Sequence, residues 1–348
     1  MFERSLQSRH IELEQVMAPD DIQFKSTFIV TMGMNPGLIS AFAKKALRAM
    51  CTELHRGRHT SFARMSQRLG VKVIQCTERD TQEVSRADRR GKREFLNTWS
   101  IPGLLNEGLM DLQMGWGTHE RAHSMVGGQR LVRRQAVSEW VHSYVPLPRN
   151  KQKGRGGPGA SGMIRGLNIP HSENFTLSRY LSLPDNKYRP SAYYVYQPTK
   201  STLASIEFVR GLDDPMKALE NARDMNALNV VRGYDAVGAL LVRGGGRRCF
   251  WAGTMLDIEE TRRLGFKVSG PTTVQVAAGL WAAMCWLMCV DRPERRARGL
   301  LYPEDLDEDE ILAIAGPWLG ELKMDWVPFR VQDARYEAFR CRGQKGTS

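Results

Sequence analysis

The stretch FIVTMGMNPGLISAFAKKALRAMC, residues 28–51, decides the fold. Its first four residues are apolar or β-branched, which predicts a strand. The turn sequence MGMNPG follows, and we expect Asn35 to be the N-cap of a helix with Pro36 in its first turn. The next apolar residues recur at helical spacing, so the helix should run to about Cys51. A strand, a tight turn and a helix form the basic unit of an α/β layer.

The same alternation of strand and helix patterns continues along the chain. Residues 71–76 predict a second strand, and the charged run Glu78-Arg79-Asp80 follows just after it. Functional groups of α/β folds collect at the carboxyl ends of strands. Further strands are predicted at 192–197, 236–242 and 249–255, the last two as a hairpin, and further helices begin at 257, 272 and 303. We therefore expect an α/β fold.

The charge balance is basic but does not by itself identify a partner. The chain has 348 residues, with 50 Lys and Arg against 38 Asp and Glu, a net charge of +12 and a pI of about 9.6. Much of this excess lies in residues 146–166, which contain several Gly and no acid and predict a flexible loop. Aromatic residues do not alternate with its basic residues, as they do in surfaces that stack bases. We therefore expect no nucleic-acid partner.

Cysteine content and hydropathy indicate the cellular setting. Six Cys in 348 residues are too few for a disulfide scaffold, which favours a reducing compartment and a cytoplasmic location. Residues 268–290 contain no charged side chain, which is long enough to suggest a membrane span. Several polar residues interrupt the run, including Thr272 and Gln275. We interpret it as a buried core helix and expect no membrane partner.

Two motif searches limit the chemistry. The chain contains neither Gly-x-Gly-x-x-Gly after a strand nor a Walker phosphate loop. His119-Glu120-Arg121-Ala122-His123 matches the zinc-protease pattern His-Glu-x-x-His. His171 and a few carboxylates lie downstream as possible third ligands, but none has a convincing spacing. We interpret the match as chance and predict no metal, while a zinc hydrolase stays an alternative.

Carboxylates beside apolar or aromatic residues are the remaining candidates. These are Glu78, Glu107 and Asp235, with Trp99 between the first two. Taken singly, each has an ordinary structural interpretation: a surface ion cluster for Glu78, a core residue for Trp99 and a turn residue for Asp235.

Seven blocks in order along the chain resemble bacterial homospermidine synthases, which belong to the saccharopine dehydrogenase-like group. The resemblance runs from about residue 25 to 330. The blocks are Gly33-Met34-Asn35-Pro36-Gly37-Leu38, Glu78-Arg79-Asp80-Thr81-Gln82, Glu94-Phe95-Leu96-Asn97-Thr98-Trp99-Ser100, Asn106-Glu107-Gly108, Gly115-Trp116-Gly117-Thr118-His119-Glu120, Tyr188-Arg189-Pro190 and residues 251–262. The resemblance implies an α/β, mixed-sheet catalytic and dimerisation domain, and a homodimer.

The resemblance also implies an activity. Members of this family use NAD to condense two putrescines into homospermidine, with internal hydride transfer and release of ammonia. Family acidic positions match Glu78, Glu107 and Asp235, which would hold the ammonium groups of the substrate. The matching aromatic position is Trp99, which would stabilise a cation through its ring. A family active-site histidine matches His171, which would move a proton. The residues with lesser roles are Asn35, near the nicotinamide, and His119 and Glu120, which would shape the site.

Departures from the family pattern leave alternatives open. Met32-Gly33-Met34 replaces a His-Gly-Ala type sequence, and Gly270-Pro271-Thr272 replaces Asn-Ala-Thr. The resemblance divides the chain into a remnant of the end of a Rossmann domain (1–34), a catalytic domain (35–330) and a tail (331–348). An upstream segment or a separate chain would then supply NAD binding. The alternatives are a non-catalytic polyamine-binding remnant or subunit, and another amine oxidoreductase of the saccharopine dehydrogenase-like group.

Overall fold

The computed structural model describes residues 5–17, 26–55, 61–120, 125–126, 129–147, 162–184, 187–244, 249–289 and 299–327. The helices in these ranges are α1 (Leu6–Val16), α2 (Leu38–Glu53), α3 (Phe62–Arg68), α4 (Ile101–Leu109), α5 (Glu173–Tyr180), α6 (Lys200–Arg210), α7 (Ile258–Arg263), α8 (Pro271–Met288) and α9 (Glu308–Ala315). The strands are β1 (Thr27–Ile29), β2 (Val71–Asp80), β3 (Glu83–Val84), β4 (Phe95–Asn97), β5 (Asp111–Gly115), β6 (Met125–Val126), β7 (Gln129–Gln135), β8 (Trp140–Tyr144), β9 (Met163–Ile169), β10 (Ser191–Gln197), β11 (Ala222–Asp224), β12 (Val230–Arg232), β13 (Tyr234–Arg243), β14 (Cys249–Asp257), β15 (Gly299–Leu301) and β16 (Glu321–Val327).

A ten-stranded mixed sheet organises the fold, which confirms the predicted α/β class. Its strand order is β16-β14-β13-β2-β10-β5-β7-β6, with β8 and β9 joined through the pairing of β9 with β10. The central strands β2 and β10 run parallel, whereas β13 is antiparallel to both β2 and β14. Helices α2 and α8 pack against β13 and β14, and α9 packs against both helices. The centre of the sheet is therefore buried.

The first predicted strand, turn and helix are present, but the cap differs. Strand β1 covers Thr27–Ile29, and helix α2 runs from Leu38 to Glu53 with Gly37 at the N-cap. The prediction of Asn35 as N-cap is wrong, because its side-chain amide donates to Glu78 and Tyr194 instead. The Asn35–Pro36 peptide bond is cis.

Strand β2 is longer than expected. We expected it to end at Cys76 with the charged run after it, but it continues to Asp80. Its neighbours explain the extension, because β10 pairs with it as far as Arg79 and β13 as far as Asp80. The predicted hairpin of β13 and β14 is confirmed, with Val242 opposite Cys249.

Helix α8 is only half buried, so the interpretation of residues 268–290 as a fully buried helix is wrong. One face, including Ala278 and Ala282, lies in the core. The opposite face exposes large apolar side chains, because α9, α7, the turn at 316–318 and the sheet all pack against the other side of the helix. In the part of the chain that the structure describes, no helix is long and apolar enough to span a membrane.

Other predicted segments are partly outside the described residues. The last part of the basic stretch 146–166 is not a loop, because β9 begins at Met163 and pairs with β8 and β10. Residues 148–161, most of the glycine turn after Arg243 and the tail 331–348 lie outside the described ranges. The final helix begins later than predicted, at Glu308, because Asp307 caps it.

Candidate functional site

Acidic side chains converge on one face of the central strands. Glu78 and Asp80 are two residues apart on β2, so they point to the same side of the sheet. Asp235 on β13 lies directly opposite Asp80 in the antiparallel register. All three are at most 2 % exposed. Together with Glu107 from α4 and Glu173 at the start of α5, these residues are called the acidic cluster below.

Glu78 has one carboxylate oxygen fixed and one without a partner. Its Oε2 accepts hydrogen bonds from the Tyr194 hydroxyl and from Asn35 Nδ2, the latter at 2.6 Å. The same Asn35 nitrogen donates to the Tyr194 hydroxyl at 2.7 Å. Glu78 Oε1 is buried with no hydrogen-bond partner among the described residues. That oxygen can accept a hydrogen bond from a ligand.

Asp80 and Asp235 differ in whether both carboxylate oxygens have hydrogen-bond partners. Asp80 accepts from Thr98 Oγ1 at 2.5 Å and from the backbone and side chain of Gln82 at 3.0 and 3.1 Å. Asp235 Oδ2 accepts from Thr272 and Gln275 of α8, but its Oδ1 is buried with no partner among the described residues. Asp80 is therefore held by the protein, whereas Asp235 has an oxygen available.

Aromatic side chains stand beside the carboxylates. Tyr194 and Tyr196 are two residues apart on β10 and lie on the same face of the sheet. Their rings stack with the centroids 6.0 Å apart. Trp99 Nε1 donates to the Tyr196 hydroxyl at 3.1 Å, which fixes the indole ring in the turn before α4. These rings form a partly apolar boundary for the cluster. Ring faces of this kind attract a cation, most strongly when the cation is shielded from water.

His171 lies within reach of the charges of several carboxyl groups of the acidic cluster. Its Nδ1 lies 2.6 Å from Glu173 Oε2. Burial lowers the pKa of His171, but the charge and hydrogen bond of Glu173, with the charges of Glu107 and Glu78, raise it to about 9. His171 is therefore protonated at neutral pH and faces several carboxyl groups.

Burial raises the pKa values of the carboxyl groups in the acidic cluster. It raises the pKa of Glu78 to about 7, of Asp80 to about 6 and of Glu107 to about 7. The pKa of Asp235 is raised well above its usual value by burial and by the charges of Glu78 and Asp80. Charged carboxylates are unfavourable here without a cation. A ligand with positive charges would restore their ionised form.

The structure brings most of the predicted residues together. Asn35, Glu78, Trp99, Glu107, His171 and Asp235 all belong to this site by hydrogen bonding or by their electrostatic effect on one another. His119 and Glu120 lie elsewhere, in a turn after β5, where Glu120 accepts from the Gly117 backbone and from Ser191. The described part of this motif is not helical, and His123 is outside the described residues.

Sequence reasoning missed several members of the site: Asp80, Glu173, Tyr194 and Tyr196. A signal existed for each. Glu78 and Asp80 have the two-residue spacing of one strand face, as do the two tyrosines in β10, and Glu173 follows His171 by two positions. For Asp80 the expected end of the strand at Cys76 hid this spacing, because β2 in fact continues to Asp80.

Two other kinds of site, a metal centre and an apolar cavity, do not explain the acidic cluster. No group of three or more His, Cys, Asp or Glu side chains among them is arranged to hold a metal ion. A cavity of about 120 Å³ lies behind α4, between that helix and α6, but aliphatic side chains such as Leu104, Ile206 and Val209 line it. An apolar lining does not bind a small polar cation.

Comparisons with known proteins identify the family of the chain. The family profile described as the saccharopine dehydrogenase C-terminal domain matches residues 33–325. Two curated homospermidine synthases are similar, from Mesorhizobium japonicum (28 % identity over 325 residues) and Blastochloris viridis (29 % over 323). The match covers 87 % of this chain and 62 % of each relative, so the chain spans less than two thirds of their length.

A solved structure is similar over most of the fold. The homospermidine synthase from Legionella pneumophila in complex with NAD superposes with a TM-score of 0.76 at 28 % identity. The match covers 92 % of this chain and 67 % of that protein. These comparisons confirm the resemblance to homospermidine synthases. Because the family profile covers most of its length, this chain belongs to the saccharopine dehydrogenase C-terminal domain family.

Proposed function

We propose that this chain forms the amine-binding and reaction centre of a homospermidine synthase-type enzyme, which condenses two putrescines to homospermidine with release of ammonia. The observation that carries the proposal is the excess of buried carboxyl groups over buried cations. The acidic cluster has five carboxyls, three of which (Glu78, Glu107 and Glu173) act on His171. Four of the five have an oxygen without a partner among the described residues: Glu78, Glu107, Glu173 and Asp235. A diamine at neutral pH carries two positive charges, which would offset part of this excess.

The geometry suggests how a diamine is held. Glu78 Oε1 and Asp235 Oδ1 lie on adjacent strands, so one ammonium group with three N–H donors can bind both. Glu107 Oε2 is buried on α4 without a partner among the described residues and would receive the other end. The Trp99 ring would lie beside the chain that joins them. Its attraction for a desolvated cation is about 2 kcal/mol.

The raised pKa values suggest which groups move the proton. An amine reacts only after its ammonium form loses a proton. With a pKa of about 9, His171 already holds a proton at neutral pH and is better suited to donate one. Glu78 and Glu107, each with a pKa of about 7, are suited to accept the proton. We therefore assign proton acceptance to these glutamates and propose that His171 supplies a proton to departing ammonia.

The cofactor in the proposal is NAD, which would take a hydride from one amine and return it to the coupled product. The residues described here fit only the substrate side of that chemistry. Both amide hydrogens of Asn35 are directed at Glu78 and Tyr194, which leaves its carbonyl oxygen for a nicotinamide contact. The pattern Gly-x-Gly-x-x-Gly occurs at 154–159 and 157–162, but strand β9 follows it there, whereas a pyrophosphate turn is followed by a helix. The described residues of this chain therefore do not form a dinucleotide site.

A second candidate is a polyamine-binding subunit that is not catalytic, since no strand, glycine turn and helix of the dinucleotide-binding kind lie together among the described residues. Both candidates require diamine binding and differ in whether homospermidine forms when NAD is bound nearby. Product analysis by mass spectrometry with labelled putrescine, NAD and an added dinucleotide-binding unit separates them. The homodimer stays a prediction from the resemblance, and the cytoplasmic location stays a prediction from the cysteine content.

Calorimetric titration with putrescine tests the proposal. The chain should bind putrescine at pH 8, and Glu78→Gln should weaken binding at least tenfold, since it removes a charge and keeps the shape. Glu83→Gln, an exposed acid three residues beyond β2 that pairs with Arg232, is the matched control and should bind like the unaltered chain. No binding by the unaltered chain, or equal binding by Glu78→Gln, would reject the proposal.

A further inference from the structure

The buried histidine of α1, His10, lies beside the segment that carries His171 and Glu173. Its Nε2 is 3.2 Å from Ser172 Oγ, and its Nδ1 is 3.3 Å from the Tyr302 hydroxyl. The ring also stacks on Tyr302 with the centroids 5.5 Å apart. Both ring nitrogens therefore have partners, as expected of a buried polar side chain that is held in one orientation.

The hydrogen bonds of His10 run in one direction. The Tyr302 hydroxyl donates its single proton to Glu14 Oε1 at 2.7 Å, so towards His10 its oxygen is an acceptor. Burial lowers the pKa of His10, so the ring is neutral at neutral pH and its one proton lies on Nδ1. Nε2 is then the acceptor, and the Ser172 hydroxyl donates to it. The hydrogen bonds are thus ordered from Ser172 through His10 to Glu14.

Ser172 connects this ordered set to the pair of His171 and Glu173. It stands between the two residues in the chain and is the N-cap of α5. A serine at an N-cap usually accepts a hydrogen bond from the first turn of the helix, but the Ser172 side chain makes no such bond. Its hydroxyl bonds to His10 instead. The hydroxyl therefore fixes the turn into α5 from outside the helix.

Helix α1 holds the surroundings of α5 at two further points. Glu14 forms a bidentate ion pair with Arg179, in the last turn of α5, at 2.9 and 3.2 Å. The backbone amide of Gln7 donates to Gln113 Oε1 on β5, and the Gln113 carbonyl accepts from Asn174 of α5. The turn into α5 is therefore braced by α1 and not only by the sheet.

The pair of His171 and Glu173 depends on the geometry of this turn. His171 precedes α5, whereas Glu173 is its first residue, so the torsion angles of Ser172 set the distance between them. Burial lowers the pKa of His171, and the charge and hydrogen bond of Glu173, whose Oε2 lies 2.6 Å away, outweigh burial and raise it to about 9. A turn that loosens would separate the pair and lower that pKa.

We propose that His10 is a positioning residue that acts through Ser172 and fixes the turn in which His171 meets Glu173. Helix α1 then supports the proton chemistry of the site without contacting the diamine. This inference rests on the proposed function only for the task given to His171, because the contacts of His10 do not depend on a substrate.

The titration of His171 tests the inference. The chain is labelled with ¹³C-histidine, the His171 signal is assigned with His171→Gln, and its chemical shift is followed against pH by NMR. His10→Phe keeps the ring against Tyr302 and removes both nitrogens, so the proton affinity of His171 should fall about tenfold from its pKa of about 9. Ser172→Ala should have the same effect. The double variant should show no larger effect, because one hydrogen bond joins the two residues.

Two control variants separate positioning from a general loss of structure. His10→Gln keeps an acceptor within reach of Ser172 and should restore most of the proton affinity of His171. Arg9→Phe places the same ring at an exposed position of α1 and should leave the titration unchanged. Urea unfolding of each variant verifies that it is folded.

An unchanged titration of His171 in both His10→Phe and Ser172→Ala would overturn the inference. So would additive effects of the two substitutions, which would mean that they act separately. If His10→Phe does not fold, Ser172→Ala alone decides, since it removes the same hydrogen bond from the other side. Putrescine binding by the unaltered chain is measured separately, so the proposed function can fail while the result on His171 stands.

Discussion

Two buried charged clusters in this molecule differ in whether the chain itself supplies a partner for each charge. Between α2 and α9, Lys44 lies 3.3 Å from Glu308 and donates to the Glu304 and Leu306 carbonyls. Glu308 also accepts from Arg48. The Glu304 carboxylate accepts from Ser40 and Thr176. Every charge there has a partner supplied by the chain itself.

The acidic cluster lacks such compensation. It contains more carboxyl groups than cations, and oxygens of Glu78, Glu107 and Asp235 have no partner among the described residues. A paired buried charge holds helices together, whereas an unpaired one raises the free energy of the empty protein. The comparison indicates that the first cluster serves stability and the second serves a ligand. Four predictions test this difference, from the largest effect to the smallest.

Lys44→Met should destabilise the protein most, by about 3–5 kcal/mol, because it leaves the Glu304 and Leu306 carbonyls without their donor and leaves the buried Glu308 with Arg48 as its one remaining cation. Urea unfolding measures the change. The control is Lys45→Met, which removes an exposed ion pair with Asp309 and should cost at most about 1 kcal/mol. Equal effects of the two variants would mean that the buried pair does not hold α2 to α9.

Asp235→Asn should weaken ligand binding and leave the stability of the protein intact, in contrast to Lys44→Met. It keeps the hydrogen bonds from Thr272 and Gln275 within reach and removes a charge that burial disfavours. The free energy of unfolding at pH 8 should be unchanged or higher, while putrescine binding falls about a hundredfold, or roughly 2.7 kcal/mol. Calorimetry and urea unfolding of the same preparation separate the two effects. A large loss of stability with intact binding would assign Asp235 to structure.

Trp99→Leu should weaken putrescine binding about thirtyfold, which corresponds to the loss of roughly 2 kcal/mol of cation–π attraction. Trp99→Phe is the matched control, since it keeps a ring and loses only the hydrogen bond to Tyr196. It should lose less than Trp99→Leu. Equal losses for both variants would mean that the hydrogen bond, and not the ring face, matters.

Stability should fall as the pH rises from 5 to 8. The pKa values of Glu78 and Glu107 are raised from their ordinary range to about 7, so the folded state holds these protons more tightly than the unfolded state. Their contribution is complete below the unfolded pKa and is lost by pH 7. The raised pKa of His171 acts in the same direction up to about 9. The urea midpoint should therefore be lower at pH 8 than at pH 5, and a rise would contradict the assignment.

Sequence patterns predicted the architecture better than the details of the site. The first strand and helix and the β13–β14 hairpin could be predicted, because local periodicity and turn residues determine them. The length of β2 could not, since its polar end is a strand only because β10 and β13 pair with it. The exposure of α8 is likewise a tertiary property, because hydropathy does not reveal which face finds a neighbour.

The candidate site shows the same division. Asn35, Glu78, Trp99, Glu107, His171 and Asp235 came from the family resemblance, since they lie far apart in sequence and no spacing rule joins them. Asp80 and Tyr194 required the sheet register, which places them on the same face as Glu78. The pairing of His171 with Glu173 required the turn into α5. Burial, which sets the pKa values of the cluster, is a property of the whole fold.

The most direct test of the diamine site is the proton count on binding. Putrescine is titrated into the protein at pH 6.5 in two buffers with different ionisation enthalpies. A site of carboxyl groups with pKa values near 7 should release about one proton for each diamine bound, because the incoming cation lowers those pKa values. Binding should also be tighter at pH 8 than at pH 6. Binding without proton release, equally tight at both pH values, would contradict the account.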